Sequence, residues 1–196
     1  DEYLPKPLTP GSDEKLQNYL RGKRTMMAPA LLLLRKTGMR IGELMDLELE
    51  CLVHISDENY LLKVPLGKLH TERVLPVDPE TVSIIKQIAE SRPLSLLNPK
   101  NYRGRQYLLT SKYSRRPSYS GLRIALGRMA LQGGIQEPVS PHMLRHTYAT
   151  ELLRSGMNLV VLKELRGHND ISMTLRYTGL VQPDIKKAYD AAIESS

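Results

Sequence analysis

The sequence predicts a mainly α-helical domain with a small antiparallel β-sheet (α+β). Three observations predict it. Apolar residues recur at helical spacing before and after the middle of the chain, and two short strand-like runs flank a glycine-containing turn between them. At 196 residues and 41% hydrophobic, the chain has enough material for one sizeable core.

The elements follow in order. Asp1 to Gly11 is proline-rich and reads as an interdomain linker with a domain before it, since Leu4-Pro5-Lys6-Pro7-Leu8-Thr9-Pro10 cannot hold a helix. Ser12-Asp13-Glu14 caps a helix running to Arg21. Met27 to Lys36 forms an apolar helix expected to be buried, and Ile41 to Leu47 a short third one. Tyr60-Leu61-Leu62-Lys63-Val64 and Arg73-Val74-Leu75-Pro76-Val77 read as strands around Pro65-Leu66-Gly67-Lys68-Leu69-His70-Thr71. Pro79 to Ser91 is amphipathic, with Val82, Ile85 and Ile88 at helical spacing. Residues 92–106 read as loop, Tyr107-Leu108-Leu109 as a candidate third strand, and Ser120 to Gln132 as a helix. Ser140-Pro141 is an N-cap followed by proline at the first helical position, starting a helix at His142 or one residue earlier. Beyond Gly179 and Pro183, Ile185, Ala188, Tyr189, Ala192 and Ile193 keep helical spacing over Asp184 to Ile193. A helix that short needs a surface to cover.

Charge narrows the function classes. Lys and Arg number 28 against 21 Asp and Glu, a formal charge of +7 that favours a polyanionic partner, with RNA or a membrane surface also fitting. The longest apolar run, Ala28 to Leu34, is far too short to span a bilayer, and no secretory signal opens the chain. A single cysteine excludes an internal disulfide framework and fits a reducing cytoplasm. With no Phe or Trp, the core must be filled by Leu, Ile, Val, Met and Tyr.

The most informative stretch is C-terminal, where His142-Met143-Leu144-Arg145 precedes Gly167-His168 and Tyr177. On one helix, His142 and Arg145 would lie on one face with Cβ atoms roughly 5 to 6 Å apart, within reach of one phosphate near the positive end of the helix dipole. A tyrosine with an ordinary pKa of about 10 needs a base and cations on the phosphate to act as a nucleophile. Transesterification at a phosphodiester is the chemistry this set suggests. His54 and His70 have no neighbours that argue for a metal, and the lone Cys51 cannot build a zinc site, so no metal or other cofactor is expected.

From Pro141 through Thr178, including Leu144-Arg145-His146-Thr147, Ala149-Thr150, Leu152-Leu153, Gly156 and Leu165, the chain resembles the tyrosine recombinase (phage-type integrase) family almost continuously. Upstream, Thr37-Gly38-Met39-Arg40-Ile41-Gly42-Glu43-Leu44 resembles that family's first arginine motif, with Gly38 as a left-handed C-cap. Lys68, after Gly67 in the hairpin turn, matches its mobile lysine, although Lys63 lies nearby. The resemblance covers roughly residues 8–190 and implies the tyrosine recombinase catalytic-domain fold. It also implies the catalytic set Arg40, Lys68, His142, Arg145, His168 and Tyr177.

In the implied mechanism Tyr177 attacks the scissile phosphate to give a 3′-phosphotyrosyl link, without metal or ATP. Arg40 and Arg145 clamp the non-bridging oxygens, Lys68 protonates the leaving 5′ oxygen, His142 is the base toward Tyr177, and His168 donates to the phosphate. Glu43 organises Arg40, and His146, about 100° round the helix from Arg145, is read as structural. Arg115, Arg116, Arg123 and Arg128 are candidate DNA-phosphate contacts. The domains expected are linker 1–11, catalytic domain 12–182, and a tail helix 183–196 that either packs on its own domain or, as the resemblance implies, is exchanged between protomers. The implied partner is double-stranded DNA, bound as a homotetramer on paired sites by a chain that is monomeric without DNA. Integration or excision of a mobile element is the expected role, in the cytoplasm at the nucleoid. A type IB topoisomerase, a non-catalytic DNA-binding module of the same fold, and a metal-dependent nuclease are the alternatives.

Overall fold

Pro10 opens the first helix, α1 (Pro10–Arg21), at a position where a proline's missing N–H leaves no bond unmade. Thr9 caps it, its hydroxyl accepting from the Ser12 N–H at 3.2 Å. The helix therefore begins two residues before the expected cap at Ser12, because a proline that breaks a helix interior is favoured in its first turn. Leu8, just outside, is buried, and its N–H donates to Thr147 Oγ1 at 2.9 Å. The computed structural model describes residues 6–56, 59–66, 71–92, 106–110, 116–158 and 161–162. Lys68, His70, Arg115, His168, Tyr177 and the expected tail helix lie outside them.

Helix α2 (Met27–Thr37) is the central element, buried from Ala28 through Arg35 and packed against α1 and against the three later helices Pro79–Glu90, Tyr119–Gln132 and Pro141–Arg154. Its apolar run is a core helix. Gly38 ends it in the left-handed conformation at φ 58°, its N–H bonding Leu34 O at 3.1 Å. Helix α3 (Ile41–Asp46) follows at once with Arg40 as N-cap.

The sheet has three antiparallel strands, β1 (Leu52–Ser56), β2 (Asn59–Leu66) and β3 (Thr71–Val77), in sequence order. Leu62 pairs with Leu75 and Val64 with Arg73, and all four side chains are buried on the core face. Lys63 and Val74, paired between them, are exposed on the other. Pro65 is tolerated because β1 pairs with β2 only as far as Leu62, and Pro76 because β3 is an edge.

Two strand expectations need correction. Strand β1 was not foreseen, since this edge strand carries no buried residue and hence no apolar alternation. Tyr107 to Leu109 is not a strand; Tyr107 pairs with Glu48 in an isolated bridge, while Leu108 N–H bonds Leu47 O at 2.8 Å. An apolar triplet can be buried by packing alone, as Leu108 and Leu109 are.

Three capped helices complete the described fold. In α4 (Pro79–Glu90), Asp78 accepts from Thr81 N–H at 2.7 Å, and Val82, Ile85 and Ile88 are buried as their spacing predicts. In α5 (Tyr119–Gln132), Ser118 accepts from Gly121 N–H at 3.0 Å. In α6 (Pro141–Arg154), Ser140 accepts from Met143 N–H at 3.3 Å. The main core is aliphatic, built largely of Leu and Ile from α1 to α6 and the sheet. Arg35 of α2 crosses it, 2% exposed, bonding Asp13 of α1 at 2.6 and 2.7 Å and Glu151 of α6 at 2.7 Å.

Candidate active site

The site grows from the turn between α2 and α3. The left-handed Gly38 turns its carbonyl to the guanidinium of Arg145, which is 5% exposed and donates from Nη1 at 2.5 Å. Tyr148, one turn further along α6, lies against the same glycine so closely that a Cβ there would sit 2.2 Å from Tyr148 Cδ1. Burial raises the Tyr148 phenol above its ordinary value, against the opposing pull of Arg73, Arg35 and Arg145. Two residues past Gly38, Arg40 begins α3.

Glu43, at the third position of α3 and 6% exposed, is the hub of the cluster. Its Oε2 accepts from the Arg40 backbone N–H at 2.6 Å and its Oε1 from Arg40 Nη1 at 2.8 Å. Arg73, reaching in from β3, grips the same carboxylate with both arms, Nη1 to Oε1 at 2.7 Å and Nη2 to Oε2 at 2.9 Å. Burial pushes the Glu43 carboxyl up, but the bonds and charge of Arg73, the Arg40 N–H and the charge of Arg145 outweigh it and hold the group below the usual carboxylate range. Three guanidinium groups thus gather around one carboxylate, and the cluster is cationic. Such an arrangement can bind a phosphate and stabilise charge developing on its oxygens.

The expected residues fall in different places. Arg40 and Arg145 are anchored at the same turn, Arg40 on the Glu43 carboxylate and Arg145 on the Gly38 carbonyl, with the Arg40 side chain 46% exposed and Arg145 buried. His142 stands on the first turn of α6, exposed, so the His142 and Arg145 pair shares a helix but not a depth. Lys68, His168 and Tyr177 lie outside the described residues. Lys63 is on the sheet face opposite Arg73. His146 is buried.

Of the arginines read as DNA contacts, Arg123 and Arg128 are exposed on α5, and Arg115 lies outside the described residues. Arg116 is engaged within the protein, bonding Asp46 and Met45 O and stacking 4.3 Å from the centre of the Tyr107 ring. His54 packs against Tyr60 with the rings tilted by 47° and their centres 4.9 Å apart. Among the described residues no group of three His, Cys, Asp or Glu side chains is placed to hold a metal ion. None of their helices is long and apolar enough to cross a membrane.

Arg73 is the residue that sequence reasoning missed. Its signal was available: in a strand whose Leu75 faces the core, the residue two before it must face the core as well. An arginine there demands a buried acid.

Comparison with known proteins adds an independent line. Residues 12–182 match the model of the phage integrase family. The tyrosine recombinase XerD of Oceanobacillus iheyensis is 32% identical over 183 residues, covering 91% of this chain and 59% of the relative. The fold superimposes on a crystal structure of XerA recombinase with a TM-score of 0.79 at 26% identity, over 98% of this chain and 66% of the other. It also resembles the Tn1549 transposon integrase in complex with circular intermediate DNA, with a TM-score of 0.67 at 26% identity over 90% and 64% of the two chains. The chain spans about half the length of the first curated relatives it matches, 51% for XerD of Listeria innocua.

Proposed function

We propose, since this chain belongs to the phage integrase family, that it is the catalytic part of a tyrosine-type site-specific DNA recombinase. The observation that carries the reading is the anchoring of both arginines at one turn, Arg40 by Glu43 and Arg145 by the carbonyl of Gly38. A buried guanidinium and a half-exposed one, anchored within a few residues of each other, suit the two non-bridging oxygens of a phosphodiester.

In this reading Tyr177 attacks the scissile phosphorus, forming a 3′-phosphotyrosyl bond as the 5′ oxygen leaves. Lys68 protonates that oxygen, His142 takes the tyrosine proton, and His168 donates a hydrogen bond to the phosphate. The 5′-hydroxyl of a partner strand then attacks the phosphotyrosyl phosphorus, giving its proton to the now neutral Lys68, as the bond to Tyr177 breaks and His142 returns the proton to the tyrosine oxygen. One phosphoester replaces another at each step, so no ATP is consumed, and the protein groups named account for every proton without a metal.

The partner is double-stranded DNA, consistent with the formal charge of +7. Four protomers assemble on two paired sites, each giving its tail, residues 183–196, to a neighbour, and the protein is monomeric without DNA. The setting is integration or excision of a mobile element at the nucleoid, in the cytoplasm.

The test uses duplexes nicked near the scissile phosphate, recovered from a random-sequence pool by covalent capture. In EDTA the parent chain should form an SDS-resistant DNA adduct. Tyr177→Phe should form none while keeping non-covalent DNA binding. An adduct that persists in Tyr177→Phe moves the nucleophile elsewhere, and no adduct from the parent removes the recombinase reading.

A further inference from the structure

We propose that Arg73 is a positioning residue for the phosphate clamp: its bidentate hold on Glu43 fixes the carboxylate that orients Arg40 and leaves the charge of Arg40 for the substrate phosphate. The inference rests on the recombinase reading above and adds to it a residue on the sheet, outside the motifs that suggested that reading.

The geometry separates two arginines on one carboxylate by depth. Arg73 has a side chain 7% exposed and uses two parallel N–H bonds, whereas Arg40 is 46% exposed and gives Glu43 one guanidinium bond and its backbone N–H. A guanidinium carries five N–H donors, so Arg40 keeps several for a ligand on its open side. Arg73 is the counter-ion of Glu43, and Arg40 the group presented outward.

Removing Arg73 would leave a buried carboxylate with Arg40 as its main bonding partner. Glu43 would then compete with the substrate phosphate for the same guanidinium, and the cluster would lose one positive charge. The position of Arg73 matters as well. It pairs with Val64 across β2 and β3 and follows Lys68 by five residues in sequence, so the ion pair ties β3 to the helix that Arg40 caps.

The experiment measures single-turnover adduct formation on the captured nicked duplexes, carrying either a normal phosphate or a methylphosphonate at the scissile position. The methylphosphonate has lost the negative charge that the clamp neutralises. Arg73→Gln should slow the phosphate reaction between about ten- and hundredfold, by analogy with the loss of a hydrogen-bonding partner that orients a metal ligand. Its defect should be several-fold smaller on the methylphosphonate. Arg73→Lys, which restores charge without the fork, should recover part of the rate. In a Glu43→Gln background the same Arg73→Gln change should have little further effect, because its route through Glu43 is already gone.

A defect equal on both substrates and undiminished in the Glu43→Gln background would make Arg73 a brace of the fold alone and overturn the proposal. Unchanged kinetics in Arg73→Gln would overturn it too. If Arg73→Gln does not fold, Arg73→Lys is carried through the same two comparisons. A parent chain that forms no adduct takes the recombinase reading and this inference with it, whereas a reactive parent with Arg73 variants that fail the pattern overturns this inference only.

Discussion

At the scale of single residues, Gly38 does three jobs that no other residue type can combine. It ends α2 at φ 58°, allows the Tyr148 ring within van der Waals range of its Cα, and turns its carbonyl to Arg145. A methyl group there meets Tyr148 near the root of its ring, at 2.2 Å from Cδ1 and 2.7 Å from Cγ, where the side chain has little freedom to swing aside. Left-handed strain and overpacking together put the loss for Gly38→Ala at about 2 to 4 kcal/mol. Gly42, four residues on, has nothing within 4 Å of its built Cβ, so Gly42→Ala in a helix should be neutral or stabilising by up to about 1 kcal/mol. Urea midpoints compare the two, and a Gly38→Ala loss under about 1 kcal/mol would sink this account of the turn. The sequence already marked Gly38 and Arg40, since a helix stop and start are written in adjacent residues. Arg73 escaped it because its partner is thirty positions away, and only the pleat of β3 turns it inward.

Among the elements, those legible in the sequence carry their boundary signals locally. Asp78-Pro79 and Ser140-Pro141 cap α4 and α6 where proline at the first helical position predicts. Thr9-Pro10 is the same signal, hidden in a proline-rich run that also reads as linker. Strand β1 and the Glu48 to Tyr107 bridge were illegible because each depends on a distant partner rather than on its own pattern. The packing of α1, α2 and α6 is likewise non-local, and it contains a charge that can be tested. Arg35 is 2% exposed, and its partner Asp13 is buried, while the side chain of its other partner, Glu151, is 61% exposed. Arg35→Ala leaves Asp13 buried without its counter-ion, which should cost about 3 to 5 kcal/mol. Glu151→Ala removes a solvated partner and should cost under about 1 kcal/mol. Chemical denaturation of both variants checks the ranking; equal losses would mean that the three helices are held by apolar packing and the ion pair adds nothing.

For the whole molecule, the ionisable groups confine stability to a band of pH, and each edge has a sign. On the acid side, burial pushes Glu43 and Asp78 up, but Arg73 and the Arg40 N–H for the first, and Lys36 and the bonds from Thr81 for the second, outweigh it, and bonds from Arg21 and Lys36 lower Glu80. A carboxylate whose folded value lies below its unfolded one stabilises the protein fully above the unfolded value, about 3.9 for Asp and 4.3 for Glu, and loses that contribution as pH falls through the folded value. These groups join α3 to β3 and α4 to α1 and α2, so acid loosens the contacts between elements. On the alkaline side, burial, aided by Glu48, lifts the Cys51 thiol from 9.0 to about 11. The unfolded chain gives up that proton first, so the contribution is complete below about pH 9 and is lost as pH rises towards 11, by about 3 kcal/mol in all. Burial raises Tyr148 as well, so it tilts the same limb in the same direction. Cys51→Ala should lower stability at pH 7 through its small cavity yet flatten the decline between pH 9 and 11, leaving the slope owed to Tyr148 and to Lys36, which its bonds to Asp78 and Glu80 hold above its ordinary value against the opposing effect of burial. Urea unfolding across that range reads the difference, and parallel curves for the parent chain and Cys51→Ala would show that the thiol ionises alike in the folded and unfolded states.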